Sequence, residues 1–107
     1  MSADALSRLS RWFAAHCDGE REHHHGVSLT SIDNPGWWMK VDLTATELAS
    51  RHFAPVRQGI GRNGHPKADR WLRCHVQDNV WHGAGDETRL KEIIETFLDW
   101  AESTGER

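Results

Sequence analysis

The chain has 107 residues, six of them tryptophan and none tyrosine, and carries a formal net charge of −3. A length in this range suits one domain closing a single core, and residues 1–107 are expected to form one. The mild negative charge disfavours nonspecific nucleic-acid binding, two cysteines make no disulfide framework, and no run approaches the roughly 20 apolar residues of a membrane span. No apolar run follows a basic start, so a cytoplasmic protein is expected.

Near Ala3–Cys17, Leu6, Leu9, Phe13 and Cys17 recur at three- and four-residue spacings, with Trp12 beside them and Arg8, Ser10 and Arg11 opposite. That spacing predicts an amphipathic helix. Ser2 is the expected cap, Asp4 suits the positive dipole end, and Gly19 can terminate the helix. Cys17-Asp18-Gly19-Glu20-Arg21-Glu22-His23-His24-His25-Gly26 follows, dense in acids and imidazoles.

Gly26–Ile32 and Trp37–Leu43 read as strands. In the second, Trp37, Met39, Val41 and Leu43 share one face, and Trp38, Lys40 and Asp42 the other. Between them Asp33-Asn34-Pro35-Gly36 predicts a turn, with Pro35 fixing φ and Gly36 accepting positive φ at the centre of a type II turn. Thr44-Ala45-Thr46-Glu47 matches a capping box for a short helix through about His52, although the same residues could extend a strand. Gln58–Lys67, with three glycines and a proline, reads as a loop. Its Gly59-x-Gly61-x-x-Gly64 spacing lacks the βαβ unit that a dinucleotide site requires.

Arg70–Val76 reads as a strand with Leu72, Cys74 and Val76 inward and Trp71, Arg73 and His75 outward. Asp78-Asn79 turns into a short strand Val80–His82, which Gly83-Ala84-Gly85 closes. Glu87–Ser103 is a second amphipathic helix, with a stripe of Leu90, Ile93, Ile94, Phe97, Leu98 and Ala101 and Asp86 as its cap. The order predicts an α+β fold: an antiparallel sheet of about four or five strands, with the N- and C-terminal helices packed on one face.

Candidate sites follow from that arrangement. His23 and His25 share a side of an extended segment and Cys17 lies near, but no second spaced pair completes a metal set, so no cofactor is expected. Asp18, Glu20, Glu22 and Asp33 carry nothing that would separate their environments into acid and base; their clustering suits an acidic surface offered to a basic partner. Neither Cys17–His16 nor Cys74–His75 is a credible dyad, since chain neighbours diverge, and both cysteines are expected in packing roles. Trp12, Trp37, Trp81 and Trp100 are expected in or beside the core. Trp38 and Trp71 fall opposite the apolar stripes and are candidate anchors for a partner.

Trp12, Cys17-Asp18-Gly19 with Glu22-His23 and Gly26, Asp33-Asn34-Pro35-Gly36-Trp37, Val41-x-Leu43, Thr46, Trp71-x-x-Cys74-x-Val76, Gly83-x-Gly85, and Leu90 through Phe97 to Trp100 form one pattern. It resembles the immunity protein 53 family of bacterial polymorphic toxin systems, over residues 9–101. One departure is Arg21, where the family more often carries tryptophan. The resemblance implies a non-catalytic protein that binds and neutralises the toxin domain encoded beside it. The partner-binding set is then Asp18, Glu20, Glu22, His23, Asp33, Asn34, Trp38 and Trp71; if the toxin is a nuclease, the clustering of the 18–22 acids and Asp33 suggests that they stand where substrate phosphates would sit. Two other classes compete. One is a nucleic-acid module stacking bases on Trp38 and Trp71 beside Lys40 and Arg73; the other is a small metal protein built on His23–His25.

Overall fold

A computed structural model of the chain describes residues 4–33 and 35–103. Ser2 and Asn34 lie outside the described residues, as does the side chain of Arg21. In chain order come α1 (Ala5–Ala15), a 3-10 turn (Arg21–His23), β1 (Val27–Ile32), β2 (Gly36–Asp42), β3 (Val56–Gln58), β4 (Leu72–Gln77), β5 (Val80–Asp86) and α2 (Leu90–Ala101).

The five strands form one antiparallel sheet in the order β1-β2-β5-β4-β3. Two hairpins, β1–β2 and β4–β5, join along β2 and β5, and β3 adds the far edge. The period-2 pattern therefore buries alternate residues most completely in the two central strands: Met39, Val41 and Trp81 have no exposed surface. Both helices lie on one face. The α2 stripe of Ile93, Ile94, Phe97, Leu98 and Ala101 is buried against β5 and β2, and α1 packs chiefly on α2. Phe97 joins the layers, its ring edge-on to Trp12 at 4.9 Å and to Trp81 at 5.2 Å; such aromatic pairs contribute roughly 0.5–1.5 kcal/mol each beyond their area. Gly83 lets α2 settle, since a Cβ there would lie 2.4 Å from the Trp81 ring and 2.9 Å from Ile93.

Several expectations are corrected. Asp4 caps α1, accepting the Ser7 N–H at 2.7 Å. Leu6 is 64 % exposed and Cys17, beyond the helix end, is exposed as well. Gly36 begins β2 with no positive φ. What selects glycine there is close approach, because a Cβ would sit 2.2 Å from the Gly85 carbonyl oxygen. The capping box does not form. Asp42 takes the Thr44 N–H at 2.9 Å, Asn79 donates to the Thr44 hydroxyl at 3.1 Å, and Glu47 turns to His16 at 3.1 Å. Residues 44–50 instead make successive turns that plug the core with Leu48.

Val56–Gln58, next to the expected loop, is an edge strand. The glycines expected to close β5 lie inside it, and the strand runs on to Asp86. Asp78 and Asn79 take φ of 54° and 66°, the left-handed pair of a tight hairpin. Val76, expected inward, is 37 % exposed. Asp86 ends a strand, while the cap position of α2 is Arg89, without a side-chain cap bond.

Candidate partner-binding surface

The pairing register fixes what the uncovered face of the sheet displays. One row across it reads Thr30, Trp38, Ala84, Arg73 and Arg57; the next reads Ser28, Lys40, His82 and His75. Ala84 stands between Trp38 and Arg73, and its small side chain leaves room for the indole to lie diagonally toward His82. Trp38 stacks on His82 at 6.0 Å, and His82 stacks on His75 at 4.9 Å with planes 11° apart. The Lys40 ammonium lies 4.9 Å from the Trp38 ring centroid, a cation–π contact at a half-open site. Trp38, Arg73, His75, Gln77, His82 and Ala84 line a shallow hollow of about 240 Å³.

Burial lowers the pKa of both imidazoles, and neighbouring charge adds to it: Arg73 beside His75, and His75, Lys40 and Arg73 around His82. Neutral rings therefore stack on this face at neutral pH. Lys40, Arg57 and Arg73 are exposed, and among the described residues none of them is ion-paired. Arg57 and Arg73 donate instead to the carbonyls of Gly61 at 3.0 Å and Gly64 at 3.4 Å.

The 18–25 loop is built differently. The Glu22 carboxylate accepts the N–H groups of Asp18 at 3.0 Å and Gly19 at 2.9 Å, and Asp18 accepts the Glu20 N–H at 2.9 Å. A hydrogen bond from its own N–H, with those from Asp18 and Gly19, holds the Glu22 pKa below the ordinary value, against the opposing effects of desolvation and of the Asp18 charge. Glu22 thus works chiefly to shape its loop. His25 Nδ1 lies 2.8 Å from Asp42 and ties the loop to the end of β2, a partner distant in sequence, while His23 and His24 remain exposed. Among the described residues no three His, Cys, Asp or Glu side chains converge as a metal set.

Asp33 and Pro35 lie at the other end of the sheet. β1 separates them from the acidic loop by six residues, about 20 Å of strand, so the four acids do not form one cluster. Trp71 departs further from expectation. It is only 6 % exposed, stands outside the core cluster, and lines a cleft of about 700 Å³ with Pro35, His65, Lys67 and Glu87. The cause is non-local: the 59–70 segment returns over it, and a Cβ on Gly59 would lie 3.2 Å from Trp71. Trp38 is therefore the aromatic of the expected pair that reaches the surface, at 39 % exposure.

His75 stands on the open face as its alternation predicts, whereas nothing local in the sequence marks Arg57 or His82, although a signal for the basic side exists. Between Arg57 and Arg73 lie five cations and one acid, so that segment carries +4 and the remainder −7 of the net −3.

Taken together, the fold defines an α+β protein with one sheet face covered by helices and the other open. Within that class, the chain belongs to the immunity protein 53 family, whose model matches residues 6–102. No curated protein and no solved structure matches the chain. No helix among the described residues is long and apolar enough to cross a membrane.

Proposed function

We propose that the protein binds a cognate toxin domain of a bacterial polymorphic toxin system in the cytoplasm and neutralises it by occlusion, without catalysis. The observation that carries this reading is the family match across residues 6–102. An immunity protein must remain bound to a lethal partner, which calls for a dissociation constant of about 1 nM or below, roughly −12 kcal/mol. An interface of standard size can supply that when an aromatic anchor is desolvated and charges complement.

Of the expected contact residues within the described structure, Asp18, Glu20, Glu22 and His23 lie before β1, Asp33 lies beyond its other end, and Trp38 stands on β2 between them. Co-expression with the toxin domain encoded beside this gene tests the reading. Cells should survive, and the two chains should co-purify at equal stoichiometry. Death of cells that demonstrably contain folded protein would refute it.

A further inference from the structure

We infer that the protein meets its toxin with the open face of the sheet, through the Trp38–His82–His75 pile and the cations Lys40, Arg57 and Arg73, and that the toxin surface covered there is acidic. This rests on the toxin-neutralising reading above and adds to it the face used and the polarity of the partner. Three observations carry it. The face is an uncovered sheet surface whose exposed tryptophan is already held in one orientation by His82 and Lys40, so ordering it on binding costs little. Its three cations have no carboxylate partner among the described residues, and two of them, Arg57 and Arg73, bound a segment that carries +4 with both included, in a chain of net −3. A face left basic in an acidic protein is electrostatically complementary to an acidic partner.

Size agrees. β2 and β5 have seven residues each, about 23 Å of strand; β1, β2, β5 and β4 span about 14 Å, and the three residues of β3 widen the face to about 19 Å at one end. That area, roughly 400 Å², is about half of one partner's share of a standard interface, and the 59–70 loop beside it carries Arg62, Lys67 and Arg70 against one acid, Asp69, all exposed. Nucleic acid fits less well. Trp71, the second stacking platform, is buried, and Trp38 already has an imidazole and an ammonium against its ring. The acidic 18–22 loop is the competing docking site, but its Glu22 carboxylate is committed to backbone N–H groups of the loop itself.

Calorimetric titration against the catalytically disabled toxin domain encoded beside the gene tests the inference, with folding of each variant checked by its urea midpoint. Lys40→Glu/Arg73→Glu should bind at least 100-fold more weakly and Trp38→Ala at least tenfold, while Lys91→Glu, exposed on α2 at the helix side, stays within threefold of the wild type. Face variants within threefold of the wild type overturn the inference and leave the toxin reading intact; so does a loss confined to Asp18→Lys/Glu20→Lys. A wild type that does not bind the domain at all overturns the toxin reading, and the inference with it. Wild-type binding to a mixed-sequence oligonucleotide that Lys40→Glu/Arg73→Glu abolishes overturns the assignment of a protein partner.

Discussion

Asp86 is the buried charged side chain of the described structure, 1 % exposed at the end of β5. It accepts the Trp71 N–H at 2.7 Å, the Thr88 N–H at 2.9 Å, the Thr88 hydroxyl and the Arg89 Nε at 3.3 Å. One carboxylate thereby joins the start of β4, the end of β5 and the approach to α2. Burial alone would raise its pKa. The donors, Thr88 first and then Trp71 and Arg89, outweigh burial and hold it at about 2, below an ordinary 3.8. A depressed carboxylate pKa means that the folded state binds fewer protons than the unfolded chain. The stabilisation is then complete above about pH 4 and is lost as pH falls toward 2, amounting to about 2 kcal/mol. Asp86→Asn should lower the unfolding free energy at pH 7 by about that much and flatten the loss of stability between pH 4 and 2, both read from urea titrations. A variant matching the wild type across this range would show that the carboxylate contributes nothing. The sequence made Asp86 visible as a polar residue before a helix. It could not reveal Trp71 as a donor, since alternation alone puts that tryptophan in solvent and only the returning 59–70 segment buries it.

At the scale of elements, strong periodicity was legible and competition for hydrogen bonds was not. Both helices and the hairpins on either side of the centre follow from apolar spacing, as does the assignment of Met39 and Val41 to one face and Trp38 and Lys40 to the other. Residues 44–52 defeat local reading because their partners are distant: His16 takes Glu47, Asn79 takes Thr44, and Arg51 reaches the end of α2. That last contact reinforces the helix terminus, whose Glu102 N–H bonds back to Leu98 at 2.8 Å. The Arg51 guanidinium donates to the carbonyls of Trp100 at 3.1 Å, Ala101 at 3.4 Å and Ser103 at 3.2 Å, and the Trp100 oxygen also accepts the Ser103 N–H at 3.2 Å and its hydroxyl at 2.7 Å. A cation at this end also opposes the helix dipole. Arg51→Met keeps the aliphatic stem and removes the donors. It should cost about 1–2 kcal/mol in urea unfolding and speed amide exchange in the last turn of α2. Unchanged exchange there would mean that solvent satisfies those carbonyls equally well.

Across the whole molecule, the distribution of charge carries more information than its sum. The helix side is internally compensated: Arg8 bridges Asp99 at 3.1 Å and Glu102 at 2.7 Å, and Arg89 bridges Glu92 at 2.7 Å. The open face and its 57–73 edge are not compensated in this way: residues 57–73 carry +4 in a chain of net charge −3, a local excess whose field an approaching partner feels. Such a field acts before contact, orienting an acidic partner toward the sheet and raising the association rate. Its range is set by a Debye length of about 10 Å at 0.1 M salt. The association rate constant with the toxin domain should therefore fall by about tenfold between low and 0.5 M sodium chloride, while the dissociation rate, governed by the Trp38 anchor, changes little. Arg57→Gln/Arg73→Gln should flatten the salt dependence without moving the urea midpoint, because both side chains are exposed and bond only to loop carbonyls. Stopped-flow traces in which association is insensitive to salt, or speeds up as salt is added, would place a like-charged surface opposite this face.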